Sequence, residues 1–306
     1  MEDVRVATWA ELQDQLYEGS WQQAIGRFRS PFAFRGMPRA SYGLRTSLMQ
    51  LGGAYDRKES HLLRNFRKYA HRDAAQNDSI WNWLALAQHH GLPTRLLDWT
   101  FSPFVALHIA TEAKEHFDDD GVVWAVDYTR SNRHLPKALR GVLKVEGSDV
   151  FTVELLDQVA LGLEDLAALA RHPFVLFLEP PSLDERIVNQ FALFSLMSRP
   201  RTRLDFWLQR HPDLCRRIVI PASLKWEIRD KLDQANITER VLYPGLDGLS
   251  RWLKRYYSPG PQRPGPAEAR PATPVPRDAE RLRRSPGPAI APSSSQPGGA
   301  KPTPEV

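Results

Sequence analysis

One cysteine, Cys215, stands in a chain of 306 residues. A lone thiol excludes an intrachain disulfide framework and every multi-cysteine metal site. Apolar runs are short as well. None approaches the roughly 18 consecutive residues of a membrane-spanning helix, so no membrane partner is expected. The opening MEDVRVATWAEL carries acidic residues and lacks the apolar stretch of a secretory signal. These features lead to the expectation of a soluble, cytoplasmic protein. Several chemistries are also without their motifs: there is no phosphate loop of the GxxxxGKS/T kind, no GxSxG elbow, no HExxH pair and no zinc knuckle. A strong charge of one sign is missing too. Lysine and arginine total 41 against 36 acidic residues, and residues 258–306 hold seven and four of these, leaving 34 against 32 in residues 1–257. The basic balance therefore gives little reason to expect nucleic acid on the folded part, and such a partner is not favoured.

What is abundant is unevenly placed. Residues 258–306 hold 13 of the 25 prolines and none of the nine tryptophans. Proline supplies no amide donor, and few apolar side chains are there to offset chain entropy. This segment reads as a disordered tail of polyproline character. Its stretch 271–276 is a candidate for docking on an aromatic groove of a protein partner, although a solvated tail needs no ligand to exist.

Before the tail, helical and strand signals alternate without internal repeat. Residues 8–25 read as a helix capped by Thr8, with Trp9, Leu12 and Leu16 on one face. Residues 32–34 suit a strand. Residues 59–72 read as a helix with Leu62, Leu63, Phe66 and Tyr69 inward and Arg64, Arg67, Lys68 and Arg72 outward. Ser79 caps a further helix that Gly91 and Pro93 stop at His90. Residues 95–99 suit a strand, and Ser102-Pro103 opens a helix running to residue 116. Residues 121–128, 174–178, 191–197 and 217–220 read as strands; 155–170, 222–235 and 247–256 read as helices. The pattern predicts an α+β fold: a single mixed domain with helices in the N-terminal half around a mainly antiparallel sheet.

The densest polar stretch is QHHGLPTRLLDWTFS, residues 88–102. Core packing alone does not ask for two histidines, two threonines, an arginine, an aspartate and a serine at a junction. The helix beginning at Pro103 offers free amide groups and a positive dipole end. Thr94, Thr100 and Ser102 add hydroxyls, and Arg95 adds a permanent charge. That set suits a phosphate or other anion; the plainer alternative is that Ser102 only caps its helix and Asp98 pairs with an arginine. His89 and His90 leave a helix about 100° apart, awkward for one metal ion, so no metal site is expected. Phe34-Arg35-Gly36 places an arginine at a strand end beside a residue that permits close approach, a sensible clamp for a diphosphate or carboxylate. The basic positions 64, 67, 68 and 72, and the cluster Arg199, Arg201 and Arg203, could meet nucleic acid phosphates, but the interleaved acids and the near-neutral charge of residues 1–257 favour a solvated surface.

These stretches together resemble the FRG domain family, named for an aromatic-Arg-Gly motif that here is Phe34-Arg35-Gly36. Its central block resembles QHHGLPTRLLDWTFSPFVALHIA, its later block ERIVNQFALFSL, and its ending LYPGLDGLSRWLK. Ala192 stands where the later block often has glycine. The resemblance implies a helical lead-in over residues 1–29, an FRG domain over 30–257 and the tail beyond. A fainter likeness links the layout to the ADP-ribosyltransferase superfamily. There Arg35 would hold the diphosphate and ribose of NAD, and Thr100 and Ser102 would match a hydroxyl motif. Gln190 takes the place of the expected glutamate, with Glu179 and Glu185 requiring a different alignment. The residues themselves are read as one anion-recognising cleft, with a nucleotide or other anionic ligand held by Arg35, Gly36, Thr94, Arg95, Thr100, Ser102 and Asn189. If the protein is an enzyme, His89, His90, Asp98 and Gln190 are the catalytic candidates and NAD the candidate substrate. Otherwise the same cleft serves a non-catalytic binding or interaction module.

Overall fold

Alternation of apolar side chains along the strands decides where the core lies. The computed structural model describes residues 3–70, 78–182 and 184–260. Among them run β1 (Asp3–Arg5), β2 (Trp21–Gln22), β3 (Arg27–Phe28), β4 (Phe32–Met37), β5 (Leu96–Thr100), β6 (Gly121–Asp127), β7 (Val175–Leu178), β8 (Ala192–Met197) and β9 (Cys215–Ile220). Seven of these form one sheet in the order β1-β9-β6-β4-β5-β8-β7, and β2 and β3 form a separate hairpin. Among the described strands of this sheet, β1 pairs with β9 in parallel and the other neighbours pair antiparallel. The expected mixed α+β domain with a mainly antiparallel sheet is thus the observed one. Residues Met1–Gly260 make one compact unit.

Period-two alternation sends side chains to two faces. In β6, Val122, Trp124 and Val126 join one core while Val123 and Ala125 join another. The first core, which also takes Leu97, Trp99, Phe177 and Leu193, runs under most of the sheet. The opposite face carries two separate cores. One lies on β5, β7 and β8 and packs the helices Ile80–His89, Lys137–Glu146 and Val153–Asp157. The other lies on β4, β6 and β9 under the helices Trp9–Tyr17, Pro103–Ala110 and Lys225–Gln234. The helix Ile80–His89 is buried around its circumference over residues 81–87, which explains its apolar composition on all sides. Burial of each large apolar side chain there contributes about 1.5–3 kcal/mol.

Several elements differ from the sequence expectation. Thr8 does cap the first helix, accepting from the Glu11 amide, but the helix ends at Tyr17 and the chain turns into the β2–β3 hairpin. The helix after Ser102 stops at Ala110, where the Thr111 hydroxyl bonds back to the Leu107 carbonyl at 2.8 Å. Residues 155–170 form two short helices, Val153–Asp157 and Leu163–Ala168, because the chain leaves the helical path before Gly162. In the helix Tyr55–Tyr69 the buried positions are Glu59 and Leu63, whereas Tyr69 is 79% exposed. Arg67 there is held by Asp78 and lies over the Trp83 ring. Helices also continue through the C-terminal half, including Glu185–Asn189, Leu204–Gln209 and Leu246–Tyr256. Arg72 and the stretch 271–276 lie outside the described residues. No helix among the described residues is long and apolar enough to cross a membrane.

Candidate functional site

β4 and β5 share one register pair, Phe34 with Thr100, whereas β4 and β6 pair along their whole length. The two strands therefore part beyond Phe34, and the gap is spanned by a side chain. The Arg35 guanidinium donates to the carbonyl oxygen of Asp98 and lies 3.8 Å from its carboxylate. Arg35 Nε is buried with no hydrogen-bond partner. Burial pulls the Arg35 pKa below its ordinary value, against the opposing pull of Asp98. Gly36 follows because helix Pro103–Ala110 sits directly on it: a Cβ at this position would lie 1.8 Å from the Ala106 carbonyl oxygen. The glycine of the motif is thus a packing requirement, and the arginine beside it spans the opened sheet.

A cavity of about 420 Å³ opens at this place, on the seam between the two cores of that face. Phe34, Leu92, Val105, Ile109, Ile187 and Phe194 make its apolar walls. Its polar lining includes Arg35, Gln88, His89, Asp98, Thr100 and Gln190. Arg186 and Tyr243 complete it from the C-terminal half. The volume falls within the range of small-molecule sites.

The structure brings together some of the expected residues and gives others different work. His89 Nε2 sits 2.7 Å from the Asp184 carboxylate, with its side chain only 13% exposed. Asp98, an exposed residue, accepts from Gln88 Nε2 at 2.9 Å. Thr100 faces the cavity, but its hydroxyl donates to the Gln190 carbonyl at 2.7 Å and accepts from the Ser102 amide. Gln190 Nε2 donates to the Leu242 carbonyl and Asn189 Nδ2 to the Val241 carbonyl, so both amides tie two helices together. Asn189 does not line the cavity.

Four further expectations require correction in position. Ser102 does not line the cavity; its hydroxyl caps its own helix by accepting from the Val105 amide. Thr94 is buried, donating to Gln88 Oε1 and accepting from the Leu96 amide. Arg95 is 6% exposed and forms a forked ion pair with Glu59, itself 3% exposed, while also donating to the Ser198 carbonyl. Its charge is consumed in the core. His90 is exposed and meets only the edge of the His89 ring among the cleft residues. Glu179 and Glu185 do not line the cavity either.

Arg186 and Tyr243 escaped the sequence reading, although both lie in the motif blocks. Arg186 stacks its guanidinium 5.3 Å from the Tyr243 ring. The Tyr243 hydroxyl donates to Glu112 at 2.9 Å, and burial raises both the phenol and the Glu112 carboxyl above their ordinary pKa values. Behind them Glu239 receives Arg229 and Arg255, and His108 is fully buried beside this network. The spacing of an arginine and a tyrosine more than fifty positions apart gave no local signal of their pairing.

Among the described residues no group of three or more His, Cys, Asp or Glu side chains is placed to hold a metal ion. Burial pushes the Cys215 thiol up to about 12, far from a reactive thiolate.

The fold and the site define a mixed α+β domain whose central sheet is parted by an arginine-bridged cleft. Residues 30–119 match the family model of the FRG domain. The matched segment supplies the Arg35 side of the cleft; Arg186, Gln190 and Tyr243 lie beyond it. No curated protein matches the chain, and no solved structure does.

Proposed function

We propose that the cleft is a recognition site for a nucleotide-type anionic ligand, with NAD as the candidate substrate or ligand. The observation that carries this reading is the presence of two arginines, Arg35 and Arg186, on one cavity that sets apolar walls beside polar side chains. Guanidinium groups meet phosphate oxygens in bidentate fashion. Apolar walls such as Phe34, Val105 and Phe194 suit the flat face of a base. Arg35 is pre-positioned by the Asp98 carbonyl, so little ordering is left to be done on binding.

A second reading, NAD cleavage of the ADP-ribosyltransferase kind, draws on the carboxylates. Asp184 can orient the His89 ring as an acid or base. Asp98 offers a carboxylate that would steady positive charge developing on the ribose as the bond to nicotinamide breaks.

Calorimetric titration of the full chain with NAD, ADP-ribose and AMP tests the recognition reading. Saturable binding is expected, weakened about tenfold or more in Arg186→Ala, which removes a charge-assisted contact from an exposed residue. Failure of all three ligands to bind ends the proposal. Nicotinamide release from NAD, lost in Asp98→Asn, would favour catalysis; binding without release would favour a module.

A further inference from the structure

A second concavity lies at the other end of β8. It is built from the turn before helix Lys137–Glu146, the loop preceding β7, the loop following β8, and helix Leu204–Gln209 with its end. The cleft borders the first residue of β8, Ala192, whereas this groove borders the segment after its last residue, Met197. At about 3.4 Å per residue, Ala192 and Met197 lie about 17 Å apart along the strand.

Its lining has one sign of charge. Arg171, Arg201, Arg203 and Arg210 all face it, and no aspartate or glutamate does. His134, His172 and His211 add three more groups able to carry positive charge. Residues 1–257 are nearly balanced in charge, so this local excess is a feature of how the chain folds. Two of the arginines are anchored from outside the lining: Arg203 by the buried Asp205 and Arg201 by Asp56. Among the described residues no carboxylate pairs with Arg171 or Arg210. Burial lowers the His211 pKa, His134 and Arg210 lower it further, and Asp213 opposes them.

Flat rings accompany the charge. Phe206 is 52% exposed, with the Arg203 guanidinium 4.1 Å from its centroid. His211 clusters with His134, at 4.2 Å, and Trp207, at 4.3 Å, which themselves meet at 5.5 Å. Trp207 is fixed from behind, its Nε1 donating to the Pro173 carbonyl at 3.2 Å. An exposed ring stiffened by an arginine, beside unpaired cations, is the arrangement that holds a single strand: bases stack on the ring and phosphates meet the cations. A duplex would leave its bases unavailable to Phe206, and an acidic peptide would make no use of a stacking platform.

We propose that this groove binds single-stranded nucleic acid, with backbone phosphates on Arg171 and Arg210 and a base on Phe206. The site is separate from the cleft and does not rest on the nucleotide reading made for it.

The test is fluorescence anisotropy of the full chain with fluorescein-labelled ten-nucleotide single strands, as RNA and as DNA. The matching duplex and inorganic tripolyphosphate serve as competitors. Saturable binding to a single strand is expected at 50 mM salt, and the RNA and DNA arms rank the two sources. Arg171→Ala with Arg210→Ala should weaken it at least tenfold and reduce the salt slope by about 1.4, the loss of two phosphate contacts. Phe206→Ala should weaken it about fivefold or more, as loss of one stacked base requires. Both variants should keep the wild-type melting temperature, since these side chains are exposed. Calorimetry with ADP-ribose reports on the cleft independently. The proposal is overturned by absence of binding at 50 mM salt, by an unchanged affinity in the double arginine variant, or by duplex binding as tight as the single strand. Tripolyphosphate competition with no effect of Phe206→Ala would show a simple anion patch and overturn it equally.

Discussion

Replacing Glu59 by alanine leaves the Arg95 guanidinium buried without its counter-ion. Arg95 lies in the densest polar block of the sequence, yet it and Glu59 are almost wholly inaccessible and joined by a forked contact. Breaking a buried pair from one side costs about 3–5 kcal/mol. For a domain of this size each kcal/mol moves the melting temperature by roughly 2–4 °C, so a fall of about 6–20 °C is expected. Urea and thermal denaturation of wild type, Glu59→Ala and the double variant Glu59→Leu with Arg95→Met would measure it. The double variant should recover most of the loss, because an apolar pair of similar volume removes the stranded charge along with its partner. Ligand binding in the cleft should survive in the double variant. A Glu59→Ala protein that melts within about 1 kcal/mol of wild type would refute the structural role assigned to Arg95.

Other consequences concern Gly36 and His108. Gly36→Ala would drive a methyl group into the Ala106 carbonyl and the Ala110 amide, and should destabilise the fold by about 3 kcal/mol or more in denaturant titrations. A wild-type midpoint would remove the close-approach explanation of the motif. Burial holds His108 down to about 4 from the ordinary 6.5. The unfolded chain therefore takes up this proton first, and stability should be complete above pH 6.5 and fall as pH drops towards 4. The loss is about 3 kcal/mol at most, and Glu112, whose raised pKa acts in the opposite sense, offsets part of it. His108→Phe should flatten that slope in pH-dependent unfolding; an unchanged slope would show that other groups set it.

Local chemistry carried much of the fold. Thr8, Ser79 and Ser102 cap helices as their types suggest, and the alternation in β6 locates both faces of the sheet. Length was less legible. Residues 8–25 and 155–170 keep apolar residues at helical intervals, but the chain turns after Tyr17 and again before Gly162, where tertiary contacts outweigh local preference. The site was half readable. Arg35 and Gly36 stood out as an arginine beside a glycine, although they lie within β4, which runs on to Met37, and not at a strand end. Arg95 misled for a physical reason: nothing near it in sequence reveals that Glu59, 36 positions earlier, neutralises it in the core. Tyr69, counted inward by periodicity, is exposed because the helix presents Leu63 and Glu59 to its neighbours. Arg186 and Tyr243 reach the cleft only through the packing of Glu185–Asn189 against Glu239–Leu242, held by Asn189 and Gln190.

A crystal structure of the full chain with ADP-ribose tests the account at its centre. The expected result is a diphosphate within hydrogen-bond distance of the Arg35 and Arg186 guanidinium groups, with a ring of the ligand against Phe34 or Phe194. A ligand bound elsewhere, or an empty cleft at a concentration that saturates binding in solution, would contradict it.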